Sequence, residues 1–337
     1  MKTRTRTWQC HLLFVCLLIL SGSMASAYDF SFDGIYYNYK DGELEVAGAD
    51  SNIQDVIIPS QVEYKGKIWM VTSIGENAFS RSNILSIIIP NTVTSIGERA
   101  FAYCSKMASI NIPNSVKEIC DGAFFRCLGL KKLIIEDGTE ILSLGQDATL
   151  MIDGTVNGSG LFKDCPLDLV YLGRDLKVYI DANYNSADPF EKNKTLSKVT
   201  IGDCVKSIPH STFSGCTSLT SVTIGNSVET IGGHAFYDCY NLSKITMGES
   251  IATIGYGAFY NCSMQEIALP NTVQTIEDSA FDGCVRLVAI NIPDSVNSIG
   301  ECALRGCSNL KSIKIPNSVK KSNMRHFMNA QASHLLR

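Results

Sequence analysis

Apolar residues in this chain follow two alternating rhythms. One is the period-two pattern of a half-buried strand: in 219–224, Leu219, Val222 and Ile224 are set to point inward and Ser221 and Thr223 outward. Proline or glycine follows at once (Pro90, Pro113, Gly202, Gly225, Gly248, Pro270), which stops the strand and starts a turn. The other rhythm is helix-like. In 98–107 the apolar Ala100, Phe101, Cys104 and Met107 fall at helical spacing, predicting a short helical turn that packs Phe101 inward. A Val-x-x-Ile piece between the two predicts a short extended segment. The glycine after that isoleucine (Gly75, Gly97, Gly232, Gly255, Gly300) is expected to take a positive backbone angle where the chain bends.

This unit recurs every 22 to 23 residues, with strand ends at Ile58, Ile89, Ile112, Ile135, Leu172, Ile201, Ile224, Met247, Leu269, Ile292 and Ile315. A fixed period in the range of about 20 to 29 residues predicts a leucine-rich-repeat solenoid. The expected fold is a curved, right-handed α/β-type stack of about eleven coils, mainly β with short helical turns, whose parallel strands line a concave sheet. A single elongated domain is expected over 53–319, preceded by a capping hairpin at 28–52 and followed by a tail at 320–337. Insertions break the beat near 61–70, 137–160 and 174–195. They read equally as binding loops or as drift in tolerated ones.

Residues 1–27 carry a basic start (Lys2, Arg4, Arg6), an apolar stretch over 12–20 and the small-residue site Ala25-Ser26-Ala27, predicting a secretory signal peptide. Its apolar run is about half of what spans a bilayer, and no transmembrane segment is expected once it is cleaved. Of 29 basic residues three lie in this leader, leaving 26 against 33 acidic ones, a balance of −7. No basic run is interleaved with aromatics, so no nucleic-acid partner is expected.

Of thirteen cysteines, eight form a column: Cys104, Cys127, Cys165, Cys216, Cys239, Cys262, Cys284 and Cys307 each follow the Phe position by three residues. Residues stacked one coil apart sit at about 4.8 Å with parallel side chains, whereas a disulfide needs converging Cβ atoms at about 3.8 Å. The column is therefore expected to be buried free thiols, and a line of single ligands cannot gather the four that zinc needs, so no metal is expected. Cys120, Cys204 and Cys302 lie off the column, as drift or as one incidental bridge with an odd thiol.

Candidate chemistry is sparse. His210 and His234 read as surface histidines outside any motif, and the carboxylates of Asp121, Asp137, Glu277 and Asp278 as solvated turn residues. No phosphate loop, zinc-protease helix or nucleophile elbow is present, so neither enzyme activity nor a cofactor is expected. Asn157, Asn193, Asn241 and Asn261 open glycosylation sequons.

The outward strand positions remain. One row runs Ile57, Ile88, Asn111, Ile134, Tyr171, Thr200, Thr223, Thr246, Ala268, Asn291 and Lys314. A second row includes Asp55, Ser86, Lys132 and Leu169. Apolar and aromatic groups gather in the first half, which makes Ile57, Ile88, Asn111, Lys132, Ile134, Leu169 and Tyr171 the candidate ligand-binding residues, with Asn183 and Tyr184 as loop candidates. The alternative is that the cap and inserted loops fold over this half. A carbohydrate-binding reading instead places Tyr171, Tyr184 and Trp69 against sugar rings, and a secreted hydrolase built around the insertions is the least favoured reading.

The phrase Ile-Pro-Asn-Thr-Val-Thr-Ser-Ile-Gly-Glu-Arg-Ala-Phe-Ala-Tyr-Cys at 89–104 closely resembles the BspA-type leucine-rich repeat, and 292–307 repeats it with Leu304 in place of Phe. The resemblance spans nearly the whole chain after the leader, though the coils ending at Ile135, Leu172 and Ile201 have lost much of the phrase. It implies a secreted or surface-attached bacterial protein, with the start at 28–39 similar to members from gut Bacteroidetes. It implies adhesion or binding to a host extracellular or bacterial surface protein, a glycan being the alternative ligand, without catalysis or cofactor.

Overall fold

The computed structural model describes residues 28–145, 161–162, 164–178 and 189–319; the expected leader, the tail at 320–337 and large parts of the second and third insertions lie outside them. The chain is a leucine-rich-repeat solenoid of stacked parallel strands. Ten of the eleven predicted coil strands form, from Asp55–Ile57 to Ala289–Asn291, and none forms at 311–316. They pair in three parallel runs: Asp55–Ile57 with Ser86–Ile88, then Ser109–Ile112 through Lys244–Thr246, then Glu266–Ala268 with Ala289–Asn291. Register is kept without a slip through the middle run, so Leu133, Val170, Val199 and Val222 form one fully buried row. A slip of one residue would turn every apolar side chain outward, which is why the period-two pattern specifies the register.

The Val-x-x-Ile pieces form a second set of parallel ladders. Ile74, Ile96, Ile119 and Leu144 follow one another in register, and after the third insertion Ile208, Ile231, Ile254, Ile276 and Ile299 do the same. At the N-terminal end three strands, β1 (Phe30–Phe32), β2 (Ile35–Lys40) and β3 (Glu43–Ala49), form an antiparallel meander. β3 then pairs parallel with the strand Lys67–Ile74, and Phe30, Ile35, Tyr37, Leu44 and Val46 join the solenoid's core. The insertion near 61–70 is itself a hairpin, Gln61–Tyr64 against Lys67–Met70.

The expected helical turn is not a helix, and no helix occurs among the described residues. The segment instead alternates local turns with bonds to the next coil. Ala100, Ala102 and Cys104 donate their N–H to the carbonyls three residues back, while Arg99, Phe101 and Tyr103 donate to Asp121, Ala123 and Phe125 of the following coil. Two of these outward-bonding residues leave the helical region, Arg99 and Tyr103 taking φ of 50° and 63°. The same two columns are positive in other coils, as at Asn77 and Arg81, His234 and Asp238, and Ser279 and Gly283.

A second expectation is also overturned. Gly75, Gly97, Gly232, Gly255 and Gly300 are not the positive-φ residues; the positive angle falls two residues later, on Asn77, Arg99, His234, Gly257 and Cys302. Glycine is required for close approach instead. A Cβ on Gly97 would lie 2.7 Å from the Glu76 nitrogen, and one on Gly300 would lie 2.2 Å from the Asp278 nitrogen.

Inside the stack, nine phenylalanines from Phe79 to Phe281 lie face to face. Their centroids are 5.2 to 5.5 Å apart and their planes lie within 12° of parallel. Coil spacing, rather than an intrinsic preference for sandwiched rings, imposes that geometry.

Candidate binding surface

Strand register brings the predicted outward residues into two neighbouring rows. Ile57 stands opposite Ile88; in the next run Asn111, Ile134, Tyr171 and Thr200 follow in order, and beside them Ser109, Lys132, Leu169 and Lys198. Ile57 and Ile88 are 66% and 59% exposed, so no described part of the cap or inserted hairpin covers them. Ile134, Leu169 and Tyr171 are half-buried, and Asn111 and Lys132 are exposed. Asn183 and Tyr184 lie outside the described residues.

An acidic rim borders the middle of this face. The Nδ2 of Asn111 donates to Glu136 Oε1 at 2.5 Å, and the Tyr171 hydroxyl donates to Asp137 Oδ1 at 2.6 Å. That hydrogen bond, aided by burial, pushes the Tyr171 phenol up to about 12. Tyr171 is thus anchored by its polar end, which presents its ring as a rigid edge. Trp69 is held apart from it, in the N-terminal hairpin with Tyr39 at 4.8 Å and Lys67 over its ring at 3.5 Å. Trp69 and Tyr171 therefore do not form a common platform.

Arg174, which sequence reasoning passed over, is fully buried at the start of the third insertion. Its Nη1 and Nη2 donate to the carbonyls of Asn114 and Pro113, two coils back, at 2.8 and 2.9 Å. Burial pulls its pKa below the ordinary value, and Glu136 opposes that shift. It clamps the turn at 136–138 between coils whose own phrase has decayed.

All eleven described cysteines are free thiols, and the eight of the column are buried. Each column thiol donates to the carbonyl oxygen of the phenylalanine one coil back: Cys104 to Phe79, Cys127 to Phe101, and so on to Cys307 and Phe281, at 3.0 to 3.2 Å. That carbonyl also accepts the backbone N–H three residues on in its own coil, as Phe101 does from Cys104 and Phe213 from Cys216, so the thiol fills its second acceptor position. Burial pushes Cys216 and Cys307 up to about 12.

The turn carboxylates serve the backbone: Glu277 accepts from the Tyr256 N–H at 2.8 Å, and Asp278 from the Glu301 N–H at 2.5 Å. Three sequon asparagines have their Nδ2 engaged, Asn193 with the Cys165 carbonyl, Asn241 with that of Thr217 and Asn261 with Asp238; Asn157 lies outside the described residues. The two histidines are not isolated. Their rings lie 5.1 Å apart, and His234 also meets Tyr237 and Tyr256 edge-on at 4.9 and 4.8 Å. Sequence reading missed this cluster because its members occupy different positions of the repeat; only comparison column by column brings them together. Among the described residues no group of three or more His, Cys, Asp or Glu could hold a metal ion, and no helix is long and apolar enough to cross a membrane.

The family described as "BspA type Leucine rich repeat region" matches in six copies over 72–148, 185–263 and 252–335, together more than half of the chain. Among solved structures, a leucine-rich repeat protein from Bacteroides ovatus is 26% identical over 86% of this chain and 95% of its own, with a TM-score of 0.36. A leucine-rich cell surface protein from Faecalibacterium prausnitzii is 21% identical over 92% and 99%, with a TM-score of 0.37. The pneumococcal vaccine antigen PcpA is 18% identical over 86% and 82%, with a TM-score of 0.35. No curated protein matches the chain.

Proposed function

The chain belongs to the BspA-type leucine-rich-repeat family, and from that premise we propose that it is a secreted or surface-associated binding protein that holds a protein partner at a host–bacterium interface. The partner would be a host extracellular or bacterial surface protein, docked on the strand face of the N-terminal half. The observation that carries this reading is the pair Ile57 and Ile88, exposed and opposite one another on neighbouring strands. A polar rim borders them, with the Ser86 hydroxyl donating to Asp55 at 2.5 Å. Contiguous exposed apolar groups within a polar border are the surface a protein partner desolvates. Tyr171, anchored through Asp137, adds the rigid aromatic type that dominates interface energetics.

The test compares capture from extracellular-matrix and mucosal extracts by the wild type, by Ile57→Asp/Ile88→Asp, and by Ile88→Asp/Ile134→Asp/Tyr171→Asp. Loss of the captured partner with unchanged cooperative unfolding supports the reading. Equal capture by all three proteins removes the site from this face.

A further inference from the structure

The most regular coils of the solenoid depart from the repeat at one place. The position after the stacked phenylalanine is Ser80, Ala102, Phe125, Glu191, Ser214 and Asp282 in other described coils, and only at Tyr237 and Tyr260 is it aromatic in two successive ones. Those two rings stack at 4.6 Å with an interplanar angle of 8°. The position after the close-approach glycine, which is Glu76, Glu98 and Glu301 in other coils, is Tyr256 here. Tyr256 is 49% exposed and stands against the edge of His234. Gly257 makes that arrangement possible, because a Cβ there would lie 2.7 Å from His234 Cδ2.

These rings shape two adjoining clefts on the turn side of the coils. The larger, of about 450 Å³, has Tyr237, Tyr260, His234 and Tyr256 along its length, with Ser214 and Arg305 among its lining residues. The smaller, of about 240 Å³, includes Glu277, Asp278 and Ser298. Tyr256 belongs to both. Among the described residues no hydrogen bond engages the hydroxyls of Tyr237, Tyr256 or Tyr260.

We propose that these clefts form a saccharide-binding site in which Tyr256 separates two subsites, each sized for one ring of a neutral hexose or N-acetylhexosamine disaccharide. Aromatic rings offer apolar surface to the C–H faces of a sugar, while the hydroxyl, carboxylate and imidazole groups around them match its hydroxyls. The site selects for neutral sugars because it holds no spare cation. The guanidinium of Arg305 is paired with the buried Asp282 at 2.5 Å, and burial, with His210 beside it, holds His234 below its ordinary pKa and so uncharged at neutral pH. Carboxylates at Glu277 and Asp278 add negative charge that an acidic glycan would meet. The site lies on turn segments rather than on the strand face, so it stands or falls independently of the partner surface proposed above.

The repeat itself supplies conservative test variants. Tyr256→Glu and Tyr237→Ser install residues that other coils already carry at the same positions, and Ser214→Tyr extends the ring column so as to fill one end of the larger cleft. Saturation-transfer NMR and calorimetry on the full chain, with N-acetyllactosamine and cellobiose as neutral probes and 3′-sialyllactose as the acidic one, read the outcome. The expected result is millimolar or tighter binding of a neutral probe, weakened about tenfold or more by each of the three variants, with cooperative unfolding retained and Tyr171→Ser without effect. Should one variant fail to fold, the other two carry the comparison. The proposal is overturned by absence of transfer to either neutral probe, by binding that persists in the folded variants, by preference for the acidic probe, or by loss of binding in Tyr171→Ser.

Discussion

The Sγ of Cys239 lies 3.2 Å from the carbonyl oxygen of Phe213, the stacked ring of the preceding coil. The thiol is thus a hydrogen-bond donor as well as a small apolar filler, and it is the donor role that the recurrence of one residue type reflects.

Cys239→Ala removes both roles and leaves the Phe213 carbonyl with the Cys216 N–H as its one partner in the core. We expect it to cost about 1–3 kcal/mol in urea unfolding, whereas Cys239→Ser, which keeps a donor, costs less. The column already accepts a hydroxyl at its first position, where Ser82 contacts Cys104 at 3.4 Å. Equal losses in the two variants would reduce the thiol to a space-filler.

The glycine and positive-φ columns make opposite predictions within one coil. Gly97→Ala drives a Cβ into the backbone of residues 75–76 and should cost about 1–3 kcal/mol. Arg99→Gly relieves a left-handed arginine and should change stability by less than about 1 kcal/mol, since the gain is offset by a more flexible unfolded chain. Thermal unfolding of the two proteins ranks them, and a harmless Gly97→Ala would show that the coils can move apart.

Thiol labelling should divide the cysteines sharply. Cys204 is exposed and should react with a disulfide reagent at pH 8 within the dead time of manual mixing. Cys216, buried and pushed up to about 12, should stay unmodified, with the rest of the buried column, until denaturant is added. Mass-spectrometric mapping of the labelled sites before and after unfolding is the check; early modification of a column thiol would mean that the stack opens locally.

His234 makes stability pH-dependent. Its folded-state pKa is lowered by burial first and by His210 second, so the unfolded chain binds the proton more readily. This contribution is complete above the unfolded value of about 6.5 and is lost as pH falls from there through the folded value. The melting temperature should fall between pH 7 and 5, and His234→Ser should fall less steeply over that window. Parallel profiles for the two proteins would assign the loss to other groups.

How much of this was legible in the sequence depended on whether a residue obeys the repeat. The alternation around Leu133, Val170 and Val199 gave each strand its inner and outer face, so the rows containing Ile57, Ile88, Ile134 and Tyr171 could be drawn before any coordinates. Phe101 and Cys104 were equally legible as core. The helical turn was misread because Ala100, Phe101 and Cys104 have the spacing that consecutive tight turns also produce. Nothing in residue type marks the left-handed angles at Arg99, His234 and Cys302, since the coil imposes them through bonds to its neighbour. The cluster of His234 with Tyr237 and Tyr256 escaped because the repeat leaves those positions free, and proximity across coils shows only when columns are compared.

The bonds that replaced the expected helix have an electrical consequence. In the turn segments the peptide groups ending at Arg99, Phe101 and Tyr103 all point their N–H toward the C-terminal coils, and those ending at His234, Phe236 and Asp238 or at Ser279, Phe281 and Gly283 do the same. Dipoles of about 3.5 D each, aligned three to a coil, add along the stack as they do along a helix axis. On this flank the negative pole lies at the first coil and the positive pole at the last, the reverse of an α-helix read from its N-terminus. Cys302, Leu304 and Gly306 sit at the positive end, where among the described residues no further coil offers carbonyls to their N–H groups. This flank therefore carries a head and a tail in its charge distribution that formal charges do not reveal, while the neighbouring segment runs the other way, with the N–H groups of Thr94 and Gly97 pointing back to Thr72 and Ile74.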